Sequence, residues 1–314
     1  MTACRVAIVG AGSMAQEHIR AFADVPDVEV AGIHSRTRSR AEALAQQHGV
    51  PDVCDSVAEL YERTQADLVV VAVPETAMNP VSRACFEYPW TALLEKPPGY
   101  NLLDAEEVSR AASQHERNVI VGLNRRFLSS TQAATRDLER SNGRRFIHVQ
   151  DQQDQAQAAE LGHPQVVVDN WMYANSIHLI DYLRLFGRGS VASVTPVVGW
   201  SPATSHAVIA KVEFDSGDLG LYEGIWQGPG PWAVSVTTPE KRWEMRPLEE
   251  ASYQMRGERR LHNVAGHEWD EEFKPGFRLQ AKMAVAAALG EPSESPTLAE
   301  AMDTMKLIAD IFRE

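Results

Sequence analysis

The chain has 314 residues, with 43 acidic and 30 basic side chains and a formal net charge of −13. That balance excludes a broad nucleic-acid face or an anionic membrane surface as partner, since both want excess Lys and Arg. The composition, 44% hydrophobic and 23% charged, is that of a globular protein long enough for about two domains, and no apolar run approaches the roughly 20 residues that span a bilayer.

Near the start, Arg5–Val9 reads as a short buried strand, and Gly10-Ala-Gly12-Ser-Met-Ala15 follows as a turn too tight for side chains. The apolar spacing of Met14, His18, Ala21 and Phe22 then fits a helix. Strand, G-x-G-x-x-A and helix present free backbone N–H groups and a positive helix end to a pyrophosphate. Gly10, Gly12, Ser13 and Met14 are therefore candidate dinucleotide ligands. This opening strand follows no charged leader or apolar core. Cys4, Cys54 and Cys85 are odd in number and lack C-x-x-C spacing. Both features lead us to expect a reduced, cytoplasmic protein.

Residues 28–35 form a second strand, and the helix after it takes Ser39 as N-cap, with Glu42 three residues on and Gly49 as its stop. A carboxylate at the end of this strand would accept the ribose hydroxyls of NAD and repel a 2′-phosphate. Positions 34–38 read His-Ser-Arg-Thr-Arg, without an acid. Ser35 and Thr37 offer hydroxyls, and Arg36 and Arg38 offer planar donors to a phosphate. NADP is favoured as cofactor, with NAD the alternative.

A short segment over 53–60 precedes the strongest apolar run, 66–73, which has the length and β-branched content of a central parallel strand. Val73 and Pro74 end it at the carboxyl edge, where ligands bind in open α/β sheets. A helix over 81–86, a strand over 90–96 stopped by Pro97 and Pro98, a helix over 102–115 and a strand over 118–123 complete a parallel sheet of about six strands. The first domain is expected over 1–123 and a second over 124–314.

The second half changes character. A helix near 131–140 leads through Asn142-Gly143 to a strand at 144–150, a polar exposed loop over 150–160 and a helix at 176–186 ending at Gly187. Strands follow at 190–200, 207–214, 220–226, 233–238 and 242–246, joined by turns at Asp215-Ser-Gly217 and Pro239-Glu-Lys241. Helices at 278–289 and 298–312 close the chain, the last placed to pack back on the first domain. Strands in hairpin series with helices at the ends indicate an α+β domain with a large, mostly antiparallel sheet. One face of such a sheet stays open for another subunit, so a homodimer or homotetramer is expected.

The candidate catalytic residues are Glu95-Lys96-Pro97 and the run from Asn175 through His178 to Asp181. A lysine ending an apolar strand either reaches solvent or stays partly desolvated, and desolvation would lower its pKa and suit it to exchange a proton with a hydroxyl. His178 and Asp181 are three apart and share a helix face. No H-E-x-x-H is present, and His262 and His267 are five apart in an expected loop, so no metal site is expected. No cysteine stands where an acylation nucleophile would be placed.

G-A-G-S-M-A near the start, Glu95-Lys-Pro97, Gly122-Leu-Asn-Arg-Arg-Phe127, His178-Leu-Ile-Asp181 and Phe273-Lys-Pro-Gly-Phe277 with Gln280 together resemble the glucose–fructose oxidoreductase/inositol dehydrogenase/MocA family over nearly the whole chain. The resemblance implies that Lys96 and His178 act at the carbon that exchanges hydride with nicotinamide, and that the Lys96–Pro97 bond is cis. Glu95 then lies on the cofactor side, and Asn124, Arg125, Trp171, Asn175 and Asp181 join Lys96 and His178 around a small, sugar-like substrate. In one respect the chain departs from the family. Ala174 stands where many members carry Asp in D-x-G-x-H, with Asp169 the nearby substitute, and Asn79 stands near the place of a family histidine. Three functions follow: an oxidoreductase on a secondary alcohol or ketone of a sugar or inositol, a non-catalytic dinucleotide sensor, or a dehydrogenase of a dihydrodiol or tetrapyrrole. For the last, Trp171, Tyr173, Trp226 and Trp232 would form an aromatic wall.

Overall fold

The computed structural model describes residues 4–202 and 204–313. Two compact units divide the chain: one runs to Asn124 and resumes over Trp269–Met302, the other covers Arg125–Glu268 and the chain from Asp303 on.

The first unit alternates strand and helix: β1 (Cys4–Val9), α1 (Ser13–Ala23), β2 (Val28–His34), α2 (Arg38–His48), β3 (Asp52–Cys54), α3 (Val57–Thr64), β4 (Leu68–Val71), α4 (Glu75–Phe86), β5 (Thr91–Glu95), α5 (Leu102–Gln114) and β6 (Val119–Gly122). The six strands pair in parallel in the order β3-β2-β1-β4-β5-β6. All residues of β4 are buried, as a strand covered on both faces requires. The strand order reverses between β1 and β4, so the carboxyl edge there is the ligand-binding crevice of a doubly wound sheet. Gly49 ends α2 in the left-handed region. Two boundaries differ from expectation. Thr37, not Ser39, is the N-cap of α2, and Glu42 instead accepts from Arg38 Nε at 2.8 Å. Helix α4 starts at Glu75 rather than 81 and contains Pro80 in its second turn, where the missing N–H forfeits one bond.

The second unit opens with α6 (Ser129–Leu138) and β7 (Phe146–Gln153), then α7 (Gln155–Glu160), α8 (Gln165–Asp169), a π turn over Met172–Ser176 and α9 (Ile177–Phe186). Strands β8 (Val191–Val198), β9 (Ala207–Phe214), β10 (Leu219–Trp226), β11 (Ala233–Thr237), β12 (Lys241–Met245), β13 (Ala251–Met255) and β14 (His262–Val264) follow. They form one sheet with β7, in the order β14-β13-β12-β11-β7-β10-β9-β8. Only β7 and β10 run parallel; the other pairs are antiparallel. Helix α9 lies on β7 and β11, over alternate residues such as Ile147, Val149, Val208, Val212 and Tyr222. The opposite face carries His148, Gln150, Lys211, Leu221 and Glu223, all half-buried.

The stretch over 150–160, expected as an exposed loop, is ordered. Strand β7 continues to Gln153 with Asp151 and Gln153 buried, and Asp154 caps α7 by accepting from Gln157 N at 2.9 Å. The buried side chains of Asp151 and Gln153 are hydrogen-bonded to each other inside the unit, while residues 156, 157, 159 and 160 are exposed.

Helices α10 (Trp269–Glu272), α11 (Phe277–Ala288) and α12 (Leu298–Ile311) end the chain. The expected division at 123/124 gave all later residues to the second domain. Residues 269–302 instead count with the first unit. The reason is the apolar stripe of α11: Phe277, Ala281, Ala284 and Val285 join the core of Ile19 and Phe22 from α1. Buried Arg278 fixes this packing by donating to Asp24 Oδ2 (2.5 Å) and to the Asp24 carbonyl (2.8 Å). Helix α12 starts in the first unit and ends in the second. Among the described residues, no helix is long and apolar enough to cross a membrane.

Candidate active site

The glycine turn comes first in the first unit. Gly10 has φ +119°, and a Cβ there would lie 2.0 Å from the Ala72 carbonyl oxygen, so only glycine fits. Gly12 is different, because a Cβ built on it meets no protein atom within 4 Å. Packing does not demand glycine here; a ligand approaching the backbone would. Gly12 also caps α1 without a side-chain hydrogen bond, and the first turn holds no acid. Exposed Ser13 and half-buried Met14 follow. This is a bare, positive helix end of the kind that holds a pyrophosphate, and it fits a dinucleotide. Val73 lies against Gly10, and exposed Pro74 caps α4 at the same edge.

Helix α1 also reaches the catalytic candidates. His18, buried on it, shares a 2.6 Å hydrogen bond between Nε2 and Glu95 Oε1 at the end of β5. The other Glu95 oxygen accepts from Lys96 N at 3.2 Å. Burial pushes the Glu95 pKa up, but the bond and charge of His18, together with Lys96, outweigh it and hold the carboxyl below its ordinary value. Lys96 is half-buried, and its bond to Pro97 is cis, as the resemblance implies. Asn124 is buried and donates to the Pro275 carbonyl at 2.9 Å, which ties it to the approach of α11. Asn79 is no stand-in for a catalytic histidine: its amide donates to Asp104 (2.7 Å) and Glu107 (2.8 Å), joining α4 to α5.

At the end of β2, Ser35 is half-buried and Arg36 exposed. Arg38 is less available than the sequence suggests. Its Nη1 donates to Asp55 and its Nε to Glu42.

In the second unit the π turn leads directly into α9, and such wide turns recur at functional sites. Two clusters form around it. Gln153, missed in the sequence because it falls in the supposed loop, accepts at Oε1 from Trp171 Nε1 (2.9 Å) and Asn175 Nδ2 (2.8 Å). His178, 9% exposed, has its ring 6.2 Å from that of Trp232, over which the Arg125 guanidinium sits at 5.7 Å. Arg125 also pairs with Glu249 at 2.5 Å.

Some expectations need correction. Asp181 is not placed for a substrate: it is buried, held in two bonds by Arg126 (2.7 and 2.8 Å), and accepts from Thr304 Oγ1 at 2.9 Å. Trp226 is core rather than wall, packed on Trp200 at 4.4 Å and Phe312 at 5.5 Å. Tyr173 is half-buried, and burial beside Asp310 pushes its phenol up to about 12. Asp169 is exposed and bound by Gln165 at 2.8 Å, whereas Ala174 is buried in the π turn. The buried carboxylate of this region is Asp151, which accepts from Gln153 Nε2 (2.6 Å) and Tyr222 OH (2.8 Å) and whose pKa burial raises. His262 begins β14 rather than lying in a loop, and pairs with Glu258. Among the described residues no cluster of His, Cys, Asp and Glu could hold a metal ion.

Residues 4–123 match the model of an oxidoreductase family with an NAD-binding Rossmann fold, GFO_IDH_MocA. A 4-carboxy-2-hydroxymuconate-6-semialdehyde dehydrogenase from a Sphingobium species is 24% identical over 199 residues, 62% of either chain. Inositol 2-dehydrogenase 2 of Mycolicibacterium vanbaalenii is 27% identical over 133 residues, 40% of this chain and 38% of its own. The matches thus span less than two thirds of these relatives. A levoglucosan dehydrogenase, solved with NADH and levoglucosan, superposes with a TM-score of 0.81 at 16% identity, covering 98% of this chain and 96% of its own.

Proposed function

With residues 4–123 belonging to the Gfo/Idh/MocA oxidoreductase family, we propose that the protein is an NADP-preferring oxidoreductase. Its substrate on this reading is a secondary alcohol of a sugar, inositol or related compound, or the corresponding ketone. One observation carries the reading. The helix that opens at the bare Gly12 end also holds, through His18, the glutamate next to Lys96. The cofactor turn and the candidate proton carrier therefore belong to one unit and are linked by one hydrogen bond.

Gly10, Gly12, Ser13 and Met14 would hold the pyrophosphate, Val73 and Pro74 would flank it, and Ser35 and Arg36 would take the adenosine end. Nicotinamide, when bound, supplies the hydride acceptor or donor. Lys96 takes the substrate hydroxyl proton in oxidation and returns it in reduction. In the second unit, His178 is a further group able to hydrogen-bond a substrate oxygen or carry a proton. Trp171, Asn175, Arg125 and Trp232 offer flat apolar surface with a few fixed polar groups, the usual makeup of a small-molecule site. The inositol and levoglucosan named for relatives support that class, and the carboxylated semialdehyde named for another relative belongs in the same substrate screen.

The NADP preference rests on the missing carboxylate at the end of β2 and on exposed Arg36. Because Arg38 is engaged by its own acids, Arg36 carries most of the preference. A 2′-phosphate gains charge-assisted bonds of roughly 1.5–3 kcal/mol each. Calorimetric titration should therefore give NADPH at least about tenfold tighter binding than NADH, and Arg36→Ala should remove most of that gap. Equal affinities in the wild type would contradict the preference. For the chemistry, a screen of sugar alcohols, inositols and oxidised sugars finds a substrate. On it, Lys96→Met should lower turnover about 10²–10⁴-fold at unchanged cofactor affinity. Wild-type turnover by that variant would favour the sensor reading, which otherwise rests on Ala174.

A further inference from the structure

We propose that Asp55 sets how strongly the site prefers NADPH to NADH, by occupying Arg38 against the cofactor's 2′-phosphate. The inference rests on the dinucleotide-binding reading of the first unit. Parallel pairing of β2 with β3 places His34 opposite Cys54, so Ser35 and Asp55 leave the sheet at the same level on its carboxyl edge. His34 Nδ1 lies 3.0 Å from the Cys54 carbonyl and closes that edge. The backbone of Asp55 is fixed as well. Its N–H donates to Glu59 Oε2 at 2.7 Å, while Glu59 N donates to Ser56 Oγ at 3.0 Å, so Asp55 is held by the capped start of α3.

No acid stands at the end of β2, the position that selects against a 2′-phosphate in this fold. A neighbouring strand supplies one in its place. Asp55 does not stand alone: it binds Arg38, one of the two guanidinium groups that could receive the phosphate. A phosphate and the Asp55 carboxylate compete for the same fork, and their like charges prevent both from sharing it closely. Glu42 holds only the Nε side of Arg38. The side chains of Arg38 and Asp55 are 50% and 71% exposed. Exposed pairs of this kind contribute little and exchange readily. Asp55 therefore tunes the preference instead of abolishing phosphate binding. NADH carries no 2′-phosphate and leaves the pair closed.

The test is calorimetric titration of NADPH and NADH into the full chain as wild type, Asp55→Asn, Arg38→Ala and the double variant. Removing the competing charge should tighten NADPH about three- to tenfold, on the scale of one exposed ion pair plus one relieved repulsion. NADH affinity should stay within about twofold, which also reports that the strand edge is intact. In the Arg38→Ala background the gain should vanish. Asp55→Ser serves as the second variant should the amide disturb the edge. An unchanged NADPH-to-NADH ratio in both Asp55 variants overturns the proposal, and so does a gain that persists without Arg38. A wild type that binds neither dinucleotide overturns the underlying reading of the site, an outcome distinct from either of these.

Discussion

Gly10 and Gly12 are separated by a single residue, yet their neighbours give them different reasons to be glycine. At Gly10 a methyl group would strike the Ala72 carbonyl at 2.0 Å in a backbone conformation that side chains rarely adopt. Gly10→Ala should therefore destabilise the first unit by several kcal/mol, with a lowered melting temperature as the readout. At Gly12 nothing in the protein opposes the methyl. Gly12→Ala should cost only about 1 kcal/mol of stability, the difference between glycine and alanine at an N-cap, while weakening dinucleotide binding at least about tenfold. An alanine at 12 that bound NADPH as well as wild type would remove the ligand-side reason for that glycine. His18 makes a related point about single residues. Its spacing with Met14 and Phe22 reads as part of an apolar stripe. The stripe is real, but at this one position it delivers an imidazole to a buried glutamate.

Among elements, the hairpin of β9 and β10 shows how a turn becomes a structural anchor. Asp215-Ser-Gly217 reads as a turn from composition alone. The residue after it, Asp218, is buried and accepts from Arg188 Nε (2.8 Å) and Nη2 (2.7 Å), and from the backbone of Arg145 (2.9 Å) and Arg188 (3.1 Å). Burial raises its pKa, but the Arg188 bonds and charge and the two backbone donors outweigh this and hold it at about 2. Because the folded value lies below the unfolded one, the stabilisation is present above about pH 4 and is lost as pH falls toward 2. Allowing for solvent screening, we expect a loss of about 1–2 kcal/mol across that window. Urea unfolding followed by tryptophan fluorescence should show it, and Asp218→Asn should be less stable at pH 7 and flatter between pH 4 and 2. The same acid loss in the Asn variant would assign it elsewhere. What was legible in the sequence follows the same division between local and distant causes. The parallel strands, the glycine turn and Glu95-Lys96-Pro97 depend on residues adjacent in the chain, and they were found. Asp151, Gln153 and Asp55 were not, because partners far along the chain give them their meaning. Gln153 is held by Trp171 and Asn175, and Asp55 by Arg38. Strands β13 and β14 escaped for want of length and alternation, and α11 was given to the wrong unit because its stripe does not say which core it fills.

For the whole molecule, the open face of the second unit's sheet is the surface a second copy would cover. The strands β9 and β10 alternate strictly between buried and half-buried residues. The half-buried set includes Ile209, Leu219, Leu221 and Ile225, with Lys211, Glu223 and His148 among them. Phe146 and Val198, the latter opposite Ile209, are 40% and 42% exposed. Apolar surface of this extent on a flat sheet usually marks an interface, and a two-fold axis lets one such face cover its own copy. The charged members suit that arrangement, since Lys211 and Glu223 on this face have both signs to offer a second copy. We therefore predict a symmetric dimer, or a tetramer built from dimers, with strands between about 190 and 246 at the contact. Light scattering at micromolar concentration should return at least about twice the chain mass of 34.7 kDa. Leu221→Glu would place a like charge against itself across the axis and should shift the mass toward one chain. Because the candidate dinucleotide residues all belong to the first unit, NADPH affinity in that variant should stay within about twofold. A wild-type mass of one chain would contradict the assembly, and an unshifted oligomer in Leu221→Glu would move the contact off this face.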